Sequence, residues 1–261
     1  MKTYKNKITL SKNGRGIWCL DTTAGCRSGL EINPRGCYGD CYAARAAKIY
    51  GFDFSTTVVK DWESEKSKAQ IIRRISKIDM PFVRIGCSGD PSEAWERTIQ
   101  ICKDISVAGK EIVIITRHWG LLTNRQLEEI KPLNLCINTS VSALDADSEL
   151  GISLSQYARL KPFCKSVLRI ISCDFNVENE RGAGLKKIQD QLFENENTID
   201  TVFRPTKKNP LVVEGVVNVV KTKFLGTNTL ASKRNQRTYF GKCDTCVEKC
   251  GVGELKTLQS A

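Results

Sequence analysis

The 261-residue sequence has few of the residues that mark several common kinds of site. It contains one histidine, His118, so a histidine-rich zinc site, or a triad that needs several histidines, is excluded. No apolar run approaches the ~18–20 residues that span a bilayer. The N-terminal segment MKTYKNKITLSKNGRG has no apolar signal core. These absences predict a cytoplasmic protein with no membrane partner.

Aromatic residues are also scarce, at 7% of the chain, and no stripe of them is interleaved with basic residues. This scarcity argues against a protein that binds single strands by stacking their bases. Apolar residues make up 41% and charged residues 26%, enough for a sizeable core. The length exceeds that of an ordinary domain but is normal for an α/β barrel.

Cysteine, in contrast, is abundant, with twelve residues. A chain of this length without a signal peptide is a poor candidate for a disulfide scaffold, so metal ligands, reactive groups and buried apolar positions are the expected roles. We expect core positions for Cys102, Cys136 and Cys164, which lie in apolar surroundings.

The net charge of +11 is concentrated near the end of the chain. Residues 204–256 contain eleven lysines and arginines against four acidic residues. Such a segment attracts an anionic substrate such as a nucleic acid, although a solubilising surface has the same composition.

Short apolar segments alternate with helical patterns along most of the chain. This alternation predicts βα units with parallel strands, and six units predict a partial (βα)6 TIM-like barrel in the α/β class. We assign the barrel to residues 1–206 and a basic extension with a second cysteine cluster to 207–261. The predicted strands are 17–22, 82–86, 111–116, 135–141, 166–173 and 199–204, and the predicted helices are 41–51, 64–78, 92–110, 123–133, 153–163 and 182–197.

The segment GCRSGLEINPRGCYGDCYAAR follows the first predicted strand and contains Cys26, Cys37 and Cys41. Functional residues of such barrels lie at the carboxyl ends of the strands. Three thiolates with an open fourth position suit an iron–sulfur cluster. A structural zinc ion would need a fourth ligand, for which Cys19, on the preceding strand, is an awkward donor. Both kinds of metal site stay open at this point.

This loop resembles the cluster loop of the radical S-adenosylmethionine (AdoMet) superfamily. In that family three cysteines after the first strand of a partial barrel hold a [4Fe-4S] cluster, and AdoMet binds the remaining iron. The usual spacing is three and then two residues between the cysteines, whereas ten and three stand here. The spacing looks more like phage-associated members that are distantly related to spore photoproduct lyase.

The resemblance implies AdoMet-binding residues after the later strands. Gly86, Ser88 and Asp90 belong to the turn GCSGDP after the second strand, where the family binds the amino group of AdoMet. Arg117 suits the AdoMet carboxylate because its guanidinium is a forked donor. The other implied cofactor-binding residues are Asn138, Ser140 and Arg169, and the candidate catalytic residues are Cys87, His118 and Cys173.

A second cluster, CDTCVEKCG, contains Cys243, Cys246 and Cys250. Its spacing predicts a second metal site, either an iron–sulfur cluster or zinc. We expect the extension that carries it to fold back over the mouth of the barrel and to add positive charge there.

The resemblance implies an enzyme that cleaves AdoMet reductively to a 5′-deoxyadenosyl radical, which then abstracts hydrogen from a substrate. Its electron donor would be a flavodoxin or ferredoxin, and the basic extension favours a nucleic acid or nucleotide as substrate. The alternative is a non-enzymatic nucleic-acid-binding protein that two zinc ions stabilise.

Overall fold

A computed structural model describes residues 2, 4–13, 16–203, 209–213, 217–221, 228–232, 246 and 248–253. The strands are β1 (Leu10–Lys12), β2 (Trp18–Leu20), β3 (Thr23–Ala24), β4 (Val58–Val59), β5 (Phe82–Ile85), β6 (Glu111–Thr116), β7 (Leu135–Val141), β8 (Lys165–Ser172), β9 (Thr198–Val202), β10 (Val217–Lys221) and β11 (Asn228–Ser232). The α-helices are α1 (Arg27–Ile32), α2 (Tyr42–Tyr50), α3 (Glu65–Ser76), α4 (Trp95–Ser106), α5 (Asn124–Ile130), α6 (Asp147–Leu160) and α7 (Glu180–Phe193).

Seven strands form the main sheet in the order β1-β2-β5-β6-β7-β8-β9. Strand β1 pairs antiparallel with β2, and all other neighbours in this sheet pair in parallel. Strands β3 and β4 form a separate antiparallel pair, as do β10 and β11. Within the described residues β1 and β9 are the two edges of the main sheet, so the barrel is not closed.

The two faces of the main sheet have different coverings. One face packs against helices α3 to α7, through alternate strand residues such as Val83, Ile114 and Ile137. The intervening residues Phe82, Val113 and Cys136 form an inner apolar cluster, to which no α-helix of the described residues contributes. Helices on one face only, over a parallel sheet, are the arrangement of a partial TIM-like barrel.

The six predicted barrel strands are confirmed as β2 and β5 to β9. Each observed strand begins and ends within two residues of its predicted bounds. The predicted helix 153–163 is wrong at its start, because α6 begins at Asp147. Asp147 and Glu149 in the first turn favour an early start, since acidic groups stabilise a helix N-terminus. The short helix α1, within the cysteine loop, was not predicted.

The C-terminal residues 249–252 lie inside the barrel, on the face of the sheet without helices. Asn138 Nδ2 donates to the Cys250 carbonyl at 2.9 Å. Cys250 and Val252 pack against the inner apolar cluster that contains Phe82, Val113 and Cys136. The expectation that the extension covers the mouth of the barrel is wrong for these residues. Their neighbours Cys136 and Val167 stand near the amino ends of β7 and β8.

Among the helices of the described residues, none is both long enough and apolar enough to cross a bilayer.

Gly251 is the residue at which this insertion is tightest. A Cβ there would lie 2.7 Å from Val167 Cγ2 and 3.0 Å from Cys136 Sγ, and its φ is +95°. We expect Gly251→Ala to destabilise the fold by about 2–4 kcal/mol, from overpacking added to backbone strain. Gly109→Ala is the matched control, because Gly109 has a φ of +70° and open space around it. Urea unfolding measures both, and equal losses would contradict the tight insertion.

Candidate functional site

The three cysteines of the loop lie at the carboxyl edge of the main sheet on short elements. Cys26 directly precedes α1, Cys37 begins a single 3₁₀ turn (Cys37–Gly39), and Cys41 directly precedes α2. All three are free thiols. Helix α2 ends at Tyr50 and is followed by Gly51, whose φ of +75° suits a glycine cap at the C-terminus of a helix.

Glycines keep space open beside these thiols. A Cβ at Gly29 would lie 3.0 Å from Cys26 Sγ and 3.6 Å from Cys37 Sγ. A Cβ at Gly36 would lie 2.4 Å from Cys41 Cβ and 3.4 Å from Cys41 Sγ. Because thiolates are the protein ligands of iron–sulfur clusters, this donor set and its glycine-lined space fit such a cluster.

Burial governs the protonation of the loop thiols. It raises the pKa of Cys26, and it raises the pKa of Cys37 to about 12 even though the positive charge of Arg117 acts in the opposite direction. Both groups are therefore neutral thiols at neutral pH in the absence of metal. Binding of iron must displace their protons, so metal loading will be favoured by higher pH.

The cysteine loop is joined to the turn that follows β5. Gly25 and Gly89 form an isolated parallel bridge, and a Cβ on Gly89 would come within 2.8 Å of the Gly25 carbonyl oxygen. Glu93 accepts a hydrogen bond from the Ser28 N–H at 2.8 Å and another from the Thr57 hydroxyl. One carboxylate therefore fixes the first turn of α1.

Asp21 determines the shape of the turn GCSGDP. Its carboxylate accepts hydrogen bonds from the Gly86 N–H at 3.2 Å, the Cys87 N–H at 2.6 Å and the Ser88 hydroxyl. Tyr42, the first residue of α2, donates to the Cys87 carbonyl. The turn is thus held by the protein itself, and it lies next to the cysteine loop.

Asp90 is buried and bonded within the protein. Its Oδ1 accepts from the Ser92 N–H at 2.9 Å, the Ser92 hydroxyl at 2.7 Å and the Thr116 hydroxyl at 2.7 Å, and its Oδ2 accepts from the Arg117 N–H at 2.7 Å. Burial raises its pKa, against the effect of these donors. The carboxylate joins the turn after β5 to the end of β6.

Arg117 directs its guanidinium towards an acidic residue of the protein. Its Nη2 lies 2.6 Å from Asp145 Oδ1 and its Nη1 lies 3.1 Å from Asp145 Oδ2. Nη1 also donates to the hydroxyl of Tyr38 and, at 3.3 Å, to the Ser140 carbonyl. The fork that suits an AdoMet carboxylate is therefore occupied by Asp145.

His118 is buried at the end of β6 with a φ of +57°. Its Nε2 shares a hydrogen bond of 2.9 Å with the Thr139 hydroxyl, and its N–H donates to the Thr116 hydroxyl. Burial and the nearby charge of Arg117 lower the pKa of His118 to about 3. The imidazole is therefore neutral at physiological pH.

Polar side chains from three strands bond to one another in the barrel interior. Arg169 donates to Asn138 Oδ1 through Nε and Nη2, at 3.2 and 2.9 Å, and to the Thr201 hydroxyl through Nη1 at 2.7 Å. Ser140 lies two residues beyond Asn138, is buried and faces the same side of β7. Asn138 and Thr201 are neutral, so they do not offset the charge of Arg169.

Cys87 has a positively charged neighbour. Arg84 Nε and Nη2 lie 3.2 and 3.1 Å from Cys87 Sγ. Donation from the Cys19 thiol and the charge of Arg84 lower the pKa of Cys87, whereas donation to Cys87 and burial raise the pKa of Cys19. Cys87 is therefore the more acidic thiol of the two.

Cys173 lies in a different environment. It packs in a buried apolar cluster with Ala143, Phe175 and Phe203. Its N–H donates to Gln189 Oε1 at 2.9 Å, and its carbonyl accepts from Gln189 Nε2 at 3.0 Å. Burial raises the pKa of this thiol to about 12, as expected for a packed cysteine.

The second cysteine cluster is described in part, because Cys243 lies outside the described residues. The Cys246 thiol accepts from the N–H groups of Glu248 and Lys249, and burial raises its pKa. Cys250 has a φ of +57° and faces the barrel interior. Within the part of the chain that the structure describes, no group of three or more Cys, His, Asp or Glu side chains is placed to hold a single metal ion.

Sequence reasoning missed several residues that shape the site. Asp21 follows β2 directly, and the rule that polar residues at strand ends are functional would have identified it. Glu93 lies within the predicted helix 92–110 and Asp145 lies beyond the predicted strand 135–141, so neither was identified as a site residue. Cys19 and Trp119 have no local signal, because their roles depend on contacts with residues distant in the sequence.

Comparison with known proteins gives a structural match alone, since no family model and no curated protein matches the sequence. The fold is similar to that of spore photoproduct lyase. The matching structure is a double mutant of that enzyme with bound AdoMet and a dinucleoside spore photoproduct. The match covers 87% of this chain and 72% of the lyase, with a TM-score of 0.51 and 10% identity. It supports the assignment as a partial TIM-like barrel.

The lowered pKa of Cys87 predicts early alkylation of this thiol as pH rises. Iodoacetamide labelling, followed by mass spectrometry of the Cys87 peptide, should reach half its maximal rate below the ~8.5 of an ordinary cysteine. Arg84→Gln should slow labelling at pH 7 about tenfold, because it removes a charge-assisted hydrogen bond. Arg169→Gln is the control, since Arg169 bonds Asn138 and Thr201 instead. A wild-type midpoint at or above ~8.5 would contradict the assignment.

Proposed function

We propose that the protein is a radical AdoMet enzyme, with a [4Fe-4S] cluster held by Cys26, Cys37 and Cys41. The observation that carries this proposal is the position of three free thiols at the carboxyl edge of an open parallel barrel, two of them beside Gly29 and the third beside Gly36. The similarity of the fold to spore photoproduct lyase, which binds AdoMet in the matched structure, supports it. When bound, cluster and AdoMet supply the electron and the organic radical that abstracts hydrogen.

The protein's own residues then bind and orient AdoMet. Gly86 and Ser88, which Asp21 holds beside the cysteine loop, are our candidates for the amino group. Arg169, with neutral partners on the inner face, is a better candidate than Arg117 for the AdoMet carboxylate, since Asp145 occupies the Arg117 fork. Ser140 is our candidate for the ribose ahead of Asn138, whose amide is bonded at both ends, to Arg169 and to the Cys250 carbonyl.

Cys87 is our leading catalytic candidate, ahead of His118 and Cys173. It follows β5 on the turn next to the cysteine loop. Its thiol accepts hydrogen bonds from Arg84, and Cys19 and Arg84 lower its pKa. His118 is held neutral by burial, and Cys173 is packed in the core.

The substrate we propose is a nucleic acid or nucleotide. The matched lyase structure contains a dinucleoside photoproduct, and residues 204–256 of this chain are strongly basic. Positive charge attracts phosphates in a salt-dependent manner. A flavodoxin or ferredoxin would supply the electron, and Cys243, Cys246 and Cys250 would hold a second iron–sulfur cluster or zinc.

Anaerobic reconstitution with iron and sulfide tests the proposal. We expect a brown protein that binds about four irons at the loop cysteines and that releases 5′-deoxyadenosine from AdoMet when dithionite is added. Replacing Cys26, Cys37 or Cys41 by alanine should abolish the paramagnetic-resonance signal of the loop cluster and the release of 5′-deoxyadenosine.

Cys102→Ala is the matched control, because Cys102 is a buried core residue of α4. This variant should retain both the cluster and AdoMet cleavage. A colourless wild-type protein that contains zinc and leaves AdoMet intact would overturn the proposal in favour of a zinc-stabilised nucleic-acid-binding protein.

A further inference from the structure

Two buried N–H groups beside the cysteine loop have no acceptor among the residues that the structure describes. They are Nε1 of Trp119 and Nε of Arg117. A buried donor without an acceptor destabilises the folded protein, and native proteins rarely contain one without a functional reason. Where such donors lie beside the loop thiols, as here, they point to a ligand that accepts hydrogen bonds.

Trp119 borders the space between two of the loop thiols. Its Cζ2 atom lies 3.9 Å from the position of a Cβ on Gly29, and the same position lies 3.0 Å from Cys26 Sγ and 3.6 Å from Cys37 Sγ. The indole nitrogen is two bonds from Cζ2, on the same edge of the ring. The edge that carries the N–H thus adjoins the place where the cluster would be bound.

Arg117 holds the indole in this position. The guanidinium carbon lies 5.2 Å from the Trp119 ring centre and 5.1 Å from that of Tyr38, within the range of a cation–π contact. Its terminal nitrogens are fixed by the ion pair with Asp145, a buried carboxylate. A clamped cation against the ring face restricts rotation of the indole.

We propose that Trp119 donates its indole N–H to a sulfur atom of the cluster held by Cys26, Cys37 and Cys41, and that this hydrogen bond sets the reduction potential of the cluster. The inference rests on the proposed function, since it requires a cluster at the loop. A hydrogen bond to sulfur offsets the negative charge that the cluster gains on reduction. The donor therefore favours the reduced form and raises the reduction potential.

Trp119→Phe tests this role, because it keeps an aromatic ring for packing and removes the N–H. The midpoint potential of the reconstituted protein, measured without AdoMet by a redox titration followed by paramagnetic resonance, should fall. The expected loss is about tenfold in the ratio of reduced to oxidised cluster at a fixed potential, or ~59 mV for one electron.

Trp18→Phe is the matched control. The Trp18 indole N–H is also buried without an acceptor among the described residues, but this residue packs with the core clusters of the sheet. Its substitution should leave the potential unchanged. A Trp119→Phe protein with a cluster and a wild-type potential overturns the inference and leaves the proposed function intact, whereas a wild-type protein without a cluster overturns both.

A measurement on the wild-type protein covers the case in which Trp119→Phe does not fold. Protein labelled with indole-¹⁵N tryptophan is reconstituted and reduced, and pulsed paramagnetic resonance then reports any ¹⁵N nucleus coupled to the cluster. We expect a weak coupling from one nitrogen, with none in unlabelled protein. Its absence would overturn the inference.

Discussion

Asp90 provides the interaction on which the site depends. Its buried carboxylate accepts four hydrogen bonds from Ser92, Thr116 and Arg117, and its carbonyl accepts one from the Thr23 hydroxyl at 3.1 Å. The residue thereby connects the strand before the cysteine loop, the turn after β5 and the end of β6. A buried carboxylate is costly unless such donors surround it, so the three segments are held in one relative arrangement.

The repeated alternation of apolar strands and amphipathic helices made most of the fold predictable. Parallel strands buried on both faces have a strong apolar signal, as in the segment 111–116, and the six strands were found within a few residues of their predicted positions. The loops carry weaker signals. Helix α1 has six residues, and the residue before it, Cys26, makes no side-chain capping bond, so no local pattern identified the helix.

The candidate site was predictable in its location and less so in its partners. The rule that polar residues follow barrel strands brought Ser88, Asp90 and Arg117 to one rim, but it could not decide which of them bond to each other. Arg117 illustrates the limit, because its partner Asp145 lies 28 positions away on the next turn. Cys19 and Cys87 meet for the same reason: Cys19 on β2 is in register with Arg84 on the adjacent strand β5, and Cys87 lies on the turn that follows β5.

The inserted segment around Cys250 and Gly251 gives the barrel a floor made from the chain's own C-terminal region. A molecule that enters from the carboxyl edge meets this segment on the inner face of β7 and β8. The depth of the barrel interior beside β7 and β8 is therefore limited by a stretch that belongs to no strand of the sheet. Changes in that stretch can alter the size of molecule that is admitted, while the strands and the cysteine loop keep their sequence.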